Sequence, residues 1–101
     1  MPKPRTLISA KTGAEQSPKF AVYSNNPATV IATGLAGVET SDIQLSNDGG
    51  TTWADYYAEG SQIQLTATNT AIRINGPGLF RVDKGVTAGA SGVFLATDRN
   101  T

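Results

Sequence analysis

Four carboxylates, Asp42, Asp48, Asp55 and Glu59, fall in one short stretch of the 101-residue chain. Two acids facing each other across a cleft, one with its pKa raised by burial, would suffice for glycoside hydrolysis. Six or more oxygens in a dense acidic loop would hold calcium. Here Asp42, Asp48 and Asp55 are spaced by six and seven residues. That is sparse support for a calcium loop, and a solvated acidic face is the simpler reading. Nucleophilic catalysis has less support. The chain has no cysteine and no histidine, so it lacks the usual neutral-pH base and the commonest metal ligand. It has no Gly-x-Ser-x-Gly elbow. Gly34-Leu35-Ala36-Gly37 is not followed by the Lys-Ser/Thr of a phosphate-binding loop. The chemistry-bearing residues therefore predict no cofactor, no metal and no catalysis. What remains is a group suited to contact: Trp53, Tyr56 and Tyr57. In a strand Tyr56 and Tyr57 point to opposite faces. One is expected to join the core with Trp53, and the other to be free to stack on a sugar or anchor a protein contact.

The elements that position these residues are strands. Ile43-Gln44-Leu45-Ser46, Gln62–Thr66 and Ala71–Asn75 alternate apolar and polar residues, which buries Ile and Leu on one face and leaves Gln, Arg and Ser on the other. Further strands are expected at Lys19–Tyr23, Thr29–Thr33, Trp53–Tyr57, Leu79–Asp83 and Gly92–Ala96. Asn47-Asp48-Gly49-Gly50, Glu59-Gly60 and Gly76-Pro77-Gly78 supply turn chemistry between them. Short strands at spacings of about 8–12 residues predict an all-β, antiparallel sandwich of Ig-like or jelly-roll-like type. The hairpins from residue 39 to residue 83 predict a meander. The Pro-rich start reads as an extended N-terminal arm over 1–18, with an edge strand at Thr6–Ala10, ahead of a sandwich domain over 19–101.

Net charge is zero but unevenly spread. Lys3, Arg5, Lys11 and Lys19 make the first nineteen residues basic, whereas residues 20–72 hold five acids and no basic residue. Eight basic residues over three segments do not make the dense basic face that nucleic acid requires, and no apolar run is long enough to span a membrane. Leu7 and Ile8 are too short a run for a signal-peptide core. The expectation is synthesis in the cytoplasm, with neither nucleic acid nor membrane as partner.

Two resemblances rest on these residues. Ser46-Asn-Asp48-Gly-Gly50-Thr-Thr52-Trp53 resembles the Asp-box of sialidases and related β-propellers. It implies a structural hairpin built on Ser46, Asp48, Gly50, Thr52 and Trp53. From about residue 28 to residue 96 the chain resembles small β-sandwich virion proteins of tailed bacteriophages. That likeness lies in the run Ile43–Trp53, in Gly76-Pro77-Gly78-Leu79-Phe80-Arg81-Val82, and in the Gly/Ala-rich Val86–Gly92 before Val93-Phe94. It implies a capsid decoration or cement protein on the capsid surface, a homo-oligomer that bridges major capsid protein subunits. Its arm residues Pro2, Lys3, Pro4, Arg5, Leu7 and Ile8 would order on a neighbouring subunit, with Lys3 and Arg5 meeting capsid carboxylates. The alternative is a tail- or fibre-associated module that recognises a host glycan or protein through Tyr56, Tyr57 and the 85–92 loop.

Overall fold

A computed structural model describes residues 5–23, 27–58, 60–74 and 77–97. Every described regular element is a strand: β1 (Arg5–Lys11), β2 (Glu15–Gln16), β3 (Phe20–Val22), β4 (Ala28–Thr33), β5 (Thr40–Ser46), β6 (Ala54–Asp55), β7 (Tyr57–Ala58), β8 (Ser61–Gln62), β9 (Gln64–Thr66), β10 (Ala71–Ile74), β11 (Gly78–Lys84) and β12 (Ser91–Thr97). The alternation dictates this directly. In β4, Ala28, Val30 and Ala32 are buried while Thr29, Ile31 and Thr33 are not. In β11, Phe80, Val82 and Lys84 are buried.

Two sheets form. The first has the order β1-β12-β4-β10; in the second, β11 and β5 lie at the centre, with β2 and β3 along the free side of β11 and β6 and β9 along the free side of β5. All pairings are antiparallel. With β2 and β3 taken as one interrupted strand and β6–β8 as an excursion, the partners nest: β1 with β12, β2/β3 with β11, β4 with β10, and β5 with β9. A long hairpin rolled into two layers in this way is a jelly roll. The nesting decides between the two sandwich types expected from sequence.

It also corrects the meander. β5 pairs with β11, not only with its sequence neighbours, and β10 crosses to the first sheet to pair with β4. Alternation fixes which face of a strand is buried but not which strand lies beside it. Residues 5–18, read as an arm, enter both sheets. Leu7 and Ile8 are 4% and 0% exposed, and adjacent side chains both turn inward because the register of β1 on β12 shifts between Thr6 and Ile8. Pro2, Lys3 and Pro4 lie outside the described residues.

The core lies between the layers. Ile8, Val30, Ile74, Val93 and Leu95 meet Phe20, Val22, Ile43, Leu65, Phe80 and Val82. Phe80 is its aromatic centre, stacked on Phe20 with ring centroids 6.3 Å apart and met edge-on by Tyr56 at 5.1 Å. The radius of gyration, 12.8 Å, matches the roughly 13 Å expected of one 100-residue body.

Nesting gathers the connections 12–14, 34–39, 67–70 and 85–90 at one end. The Thr87 N–H donates to the Thr12 carbonyl at 2.9 Å, and the Ala88 N–H to Glu39 Oε2 at 2.7 Å. Gly34 is the hinge of this contact. Its φ is +77°, and a Cβ there would stand 2.1 Å from the Ala90 carbonyl oxygen.

Candidate binding surface

The Asp48 hairpin is built from within. Ser46 Oγ accepts the Gly50 N–H at 2.8 Å and donates to Asp48 Oδ1 at 2.8 Å. The same carboxylate takes the N–H groups of Thr51 and Thr52 and the Thr52 hydroxyl. The Thr52 hydroxyl and amide, then Ser46, hold its pKa down at about 2. Gly50, at φ +102°, closes the turn, and its carbonyl receives the Trp53 indole N–H at 3.1 Å. Both carboxylate oxygens are engaged by the turn itself, which accounts for these residues structurally.

Beyond the turn, alternation sets a polar face. Tyr56 packs inward on Phe80, while Trp53, expected in the core beside it, stands outside the core with Arg81 over its ring. Asp55 then faces outward on the second sheet, and Tyr57, two residues on, does so on the adjoining β7–β8 ribbon. The Tyr56 N–H donates to the Ile43 carbonyl, and the Ile63 N–H to the Tyr56 carbonyl, both at 2.8 Å. These bonds anchor the β7–β8 hairpin at the edge of β5. Tyr57 is left 59% exposed. The two tyrosines thus divide as the strand geometry requires, Tyr56 to the core and Tyr57 to the surface. The 85–90 loop lies at the end of the slab, so the structure does not join it to Tyr57 in one site.

Two rows cross this face. Gln16, Asp83, Asp42 and Gln64 stand opposite one another in register over β2, β11, β5 and β9. Alongside run Arg81, Gln44 and Asp55. Arg81 lies 4.6 Å over the Trp53 ring and donates to Gln44 Oε1 at 2.7 Å and Gln16 Oε1 at 3.2 Å. Gln64 donates to Asp42 Oδ1 at 2.8 Å. The Asp83 carboxylate has no hydrogen bond or ion pair among the described residues. A hollow of about 280 Å³, lined by Ala14, Glu15, Gln16 and Asp83, opens beside it. Sequence reasoning placed Gln, Arg and Ser on a solvent face but did not single out Asp83, Gln64 or Arg81. Their common signal is the polar half of the alternation in β5, β9 and β11, legible once the strands are ordered.

The outer face of the first sheet is more apolar, with Arg73 of β10 beside Thr29 as its charge. Thr6, Phe94, Ile31 and Ala71 form one row across its four strands. Phe94 and Ile31 are only partly buried and stand outside the core cluster. At the loop end Val38 and Val86 are 97% and 76% exposed, and among connections 12–14, 34–39, 67–70 and 85–90 the one charged residue is Glu39, whose carboxylate accepts the Ala36 and Ala88 N–H groups. Among the described residues, no group of three or more acidic side chains could hold a metal ion.

No family model, no curated protein and no solved structure matches this chain.

Proposed function

We propose that the chain is a structural protein of a tailed-phage virion, a capsid decoration or cement protein that stabilises the assembled head by bridging major capsid protein subunits. The observation that supports this reading best is the contrast between the two outer faces. A slab that only needed to stay dissolved would be polar on both. Here one face offers Phe94, Ile31 and flanking Thr and Ala, with Arg73 at its β10 edge, and at the adjoining end the exposed Val38 and Val86 stand beside a Glu39 carboxylate held by the Ala36 and Ala88 N–H groups. Partly exposed aromatic and aliphatic groups on a sheet face with few charges suit burial against a partner. The polar face then looks outward. Self-association through the same surface would bury Phe94 and Ile31, which supports a homo-oligomer on a capsid symmetry axis.

The mode of attachment changes from that expected of a free arm. Leu7 and Ile8 belong to the core, so they are not available to a capsid subunit. Of the described arm residues Arg5 is exposed, and it begins a strand at a sheet edge, where a neighbouring chain can add hydrogen bonds.

Purified virions should contain hundreds of copies by quantitative mass spectrometry. The variant Phe94→Lys should stay folded and lose capsid occupancy by at least about tenfold, as one interface anchor worth 1.4 kcal/mol or more requires. A handful of copies per particle would favour the tail- or fibre-associated module instead. Absence from virions would refute both.

A further inference from the structure

We propose that the outer face of the second sheet binds a neutral oligosaccharide, laid across the strands from the hollow at Gln16 and Asp83, over Asp42 and Gln64, to the ring of Tyr57. The argument begins with Asp83. It sits directly opposite Asp42 in the β11–β5 ladder, and like charges so placed repel. Asp42 is partly compensated by the Gln64 amide. Asp83 is half-buried, and its carboxylate has no partner among the described residues. Such a carboxylate calls for donors from outside the chain.

The chemistry of the donors follows from the rest of the face. A metal ion is poorly served, since no third acid joins the pair. An acidic ligand is repelled, because Asp42, Asp55 and Asp83 outnumber Arg81. Hydroxyl groups fit. Carboxylates accept from them, and the glutamine amides both donate and accept. Tyr57, 59% exposed and two residues on from outward-facing Asp55, offers a flat apolar surface to the ring face of a sugar. Arg81 already covers the Trp53 ring, so stacking falls to Tyr57. The row advances by one strand spacing per polar group, roughly 14 Å over three steps. That span accommodates about three pyranose rings, and the hollow is large enough for one. All these groups stand on strands or on a hairpin bonded to β5, so the array is held in place before a ligand arrives.

The test is an amide-resolved NMR titration of the protein with maltohexaose, cellohexaose, xylohexaose, mannohexaose and chitohexaose. At least one should give saturable shifts centred on Asp42, Gln64, Asp83 and Tyr57. Its Kd should rise at least about tenfold in Tyr57→Ala and in Asp83→Ala, with both variants retaining the wild-type fold by the remaining resonances. The corresponding monosaccharide should bind at least about tenfold more weakly. No shift at these residues from any of the five sugars up to about 10 mM, unchanged affinity in both variants, or tighter binding of a lysine-rich peptide at the same residues would overturn the proposal. None of these outcomes depends on virion copy number or capsid occupancy, so the two readings stand or fall separately.

Discussion

Asp48 shows how one residue can look like a catalytic acid and be a structural one. The sequence offers a carboxylate in a loop rich in hydroxyls, glycines and a tryptophan, and that pattern suits sugar chemistry. The deciding fact is where its lone pairs go. Thr51, Thr52 and Ser46 take both oxygens, and the pKa falls because each of these donors favours the charged form. The consequence for stability has a definite sign. Asp48 is depressed from 3.8 to about 2, so its contribution is complete above pH 3.8 and is lost as pH falls toward 2. In Asp48→Asn the urea midpoint should be lower than wild type above pH 3.8, and the gap should close as the pH approaches 2. A gap of constant size across that range would show that the charge on Asp48 is not what holds the turn.

At the level of elements, β2 and β3 show how a strand survives an interruption. Pro18 has no N–H and cannot continue the ladder on β11. Ser17 fills the gap: its N–H donates to the Val82 carbonyl at 2.8 Å, and its buried hydroxyl accepts the Val82 N–H at 2.8 Å. Ser17→Ala should leave that buried N–H without an acceptor and cost about 1–3 kcal/mol in chemical denaturation, with faster hydrogen exchange at Val82. Unaltered exchange there would mean that another acceptor takes over. The same stretch marks the limit of what could be read from sequence. Pro18 signalled a break, and a break was read as the end of an arm. Only the register on β11 reveals that the chain continues on the far side. Strand positions elsewhere were legible because Ile43, Leu65, Ile74 and Val82 alternate with polar neighbours, and each is fully buried. Their order was not legible. The β5–β11 pairing joins residues separated by more than thirty positions, and no local pattern encodes such a contact. For the same reason the row Gln16–Asp83–Asp42–Gln64 was invisible. Its members come from four strands and meet only after the roll closes.

At the scale of the whole molecule, one charge among the described residues sits where the fold disfavours it. Lys84 points into the slab after Phe80 and Val82 and is 0% exposed, with its ammonium donating to the Gly13 carbonyl at 2.7 Å and the Gly85 carbonyl at 3.1 Å. It plugs the end of the sandwich where the connecting loops meet, in an interior that also holds Ser41, Thr87 and Ser91. Burial lowers its pKa below 10.5, and the charge of Lys11 adds to this; Glu39 and Glu15 pull the other way. Between that depressed value and 10.5 the unfolded chain binds more protons than the folded one, so stability rises with pH through this window. Below the window the folded state bears the full cost of a buried ammonium. Lys84→Met keeps much of the volume and removes the charge. Its urea midpoint should be nearly independent of pH as 10.5 is approached, whereas the wild-type midpoint climbs. Neutral-pH stability should hold or increase, because replacing a buried ion by an apolar group of similar size often does. The tyrosines are common to both proteins, so their ionisation cancels in the difference. Equal slopes for the two proteins would show that the ammonium is as well solvated in the slab as in the open chain, and that the loop end is more open than the packing of its backbone implies.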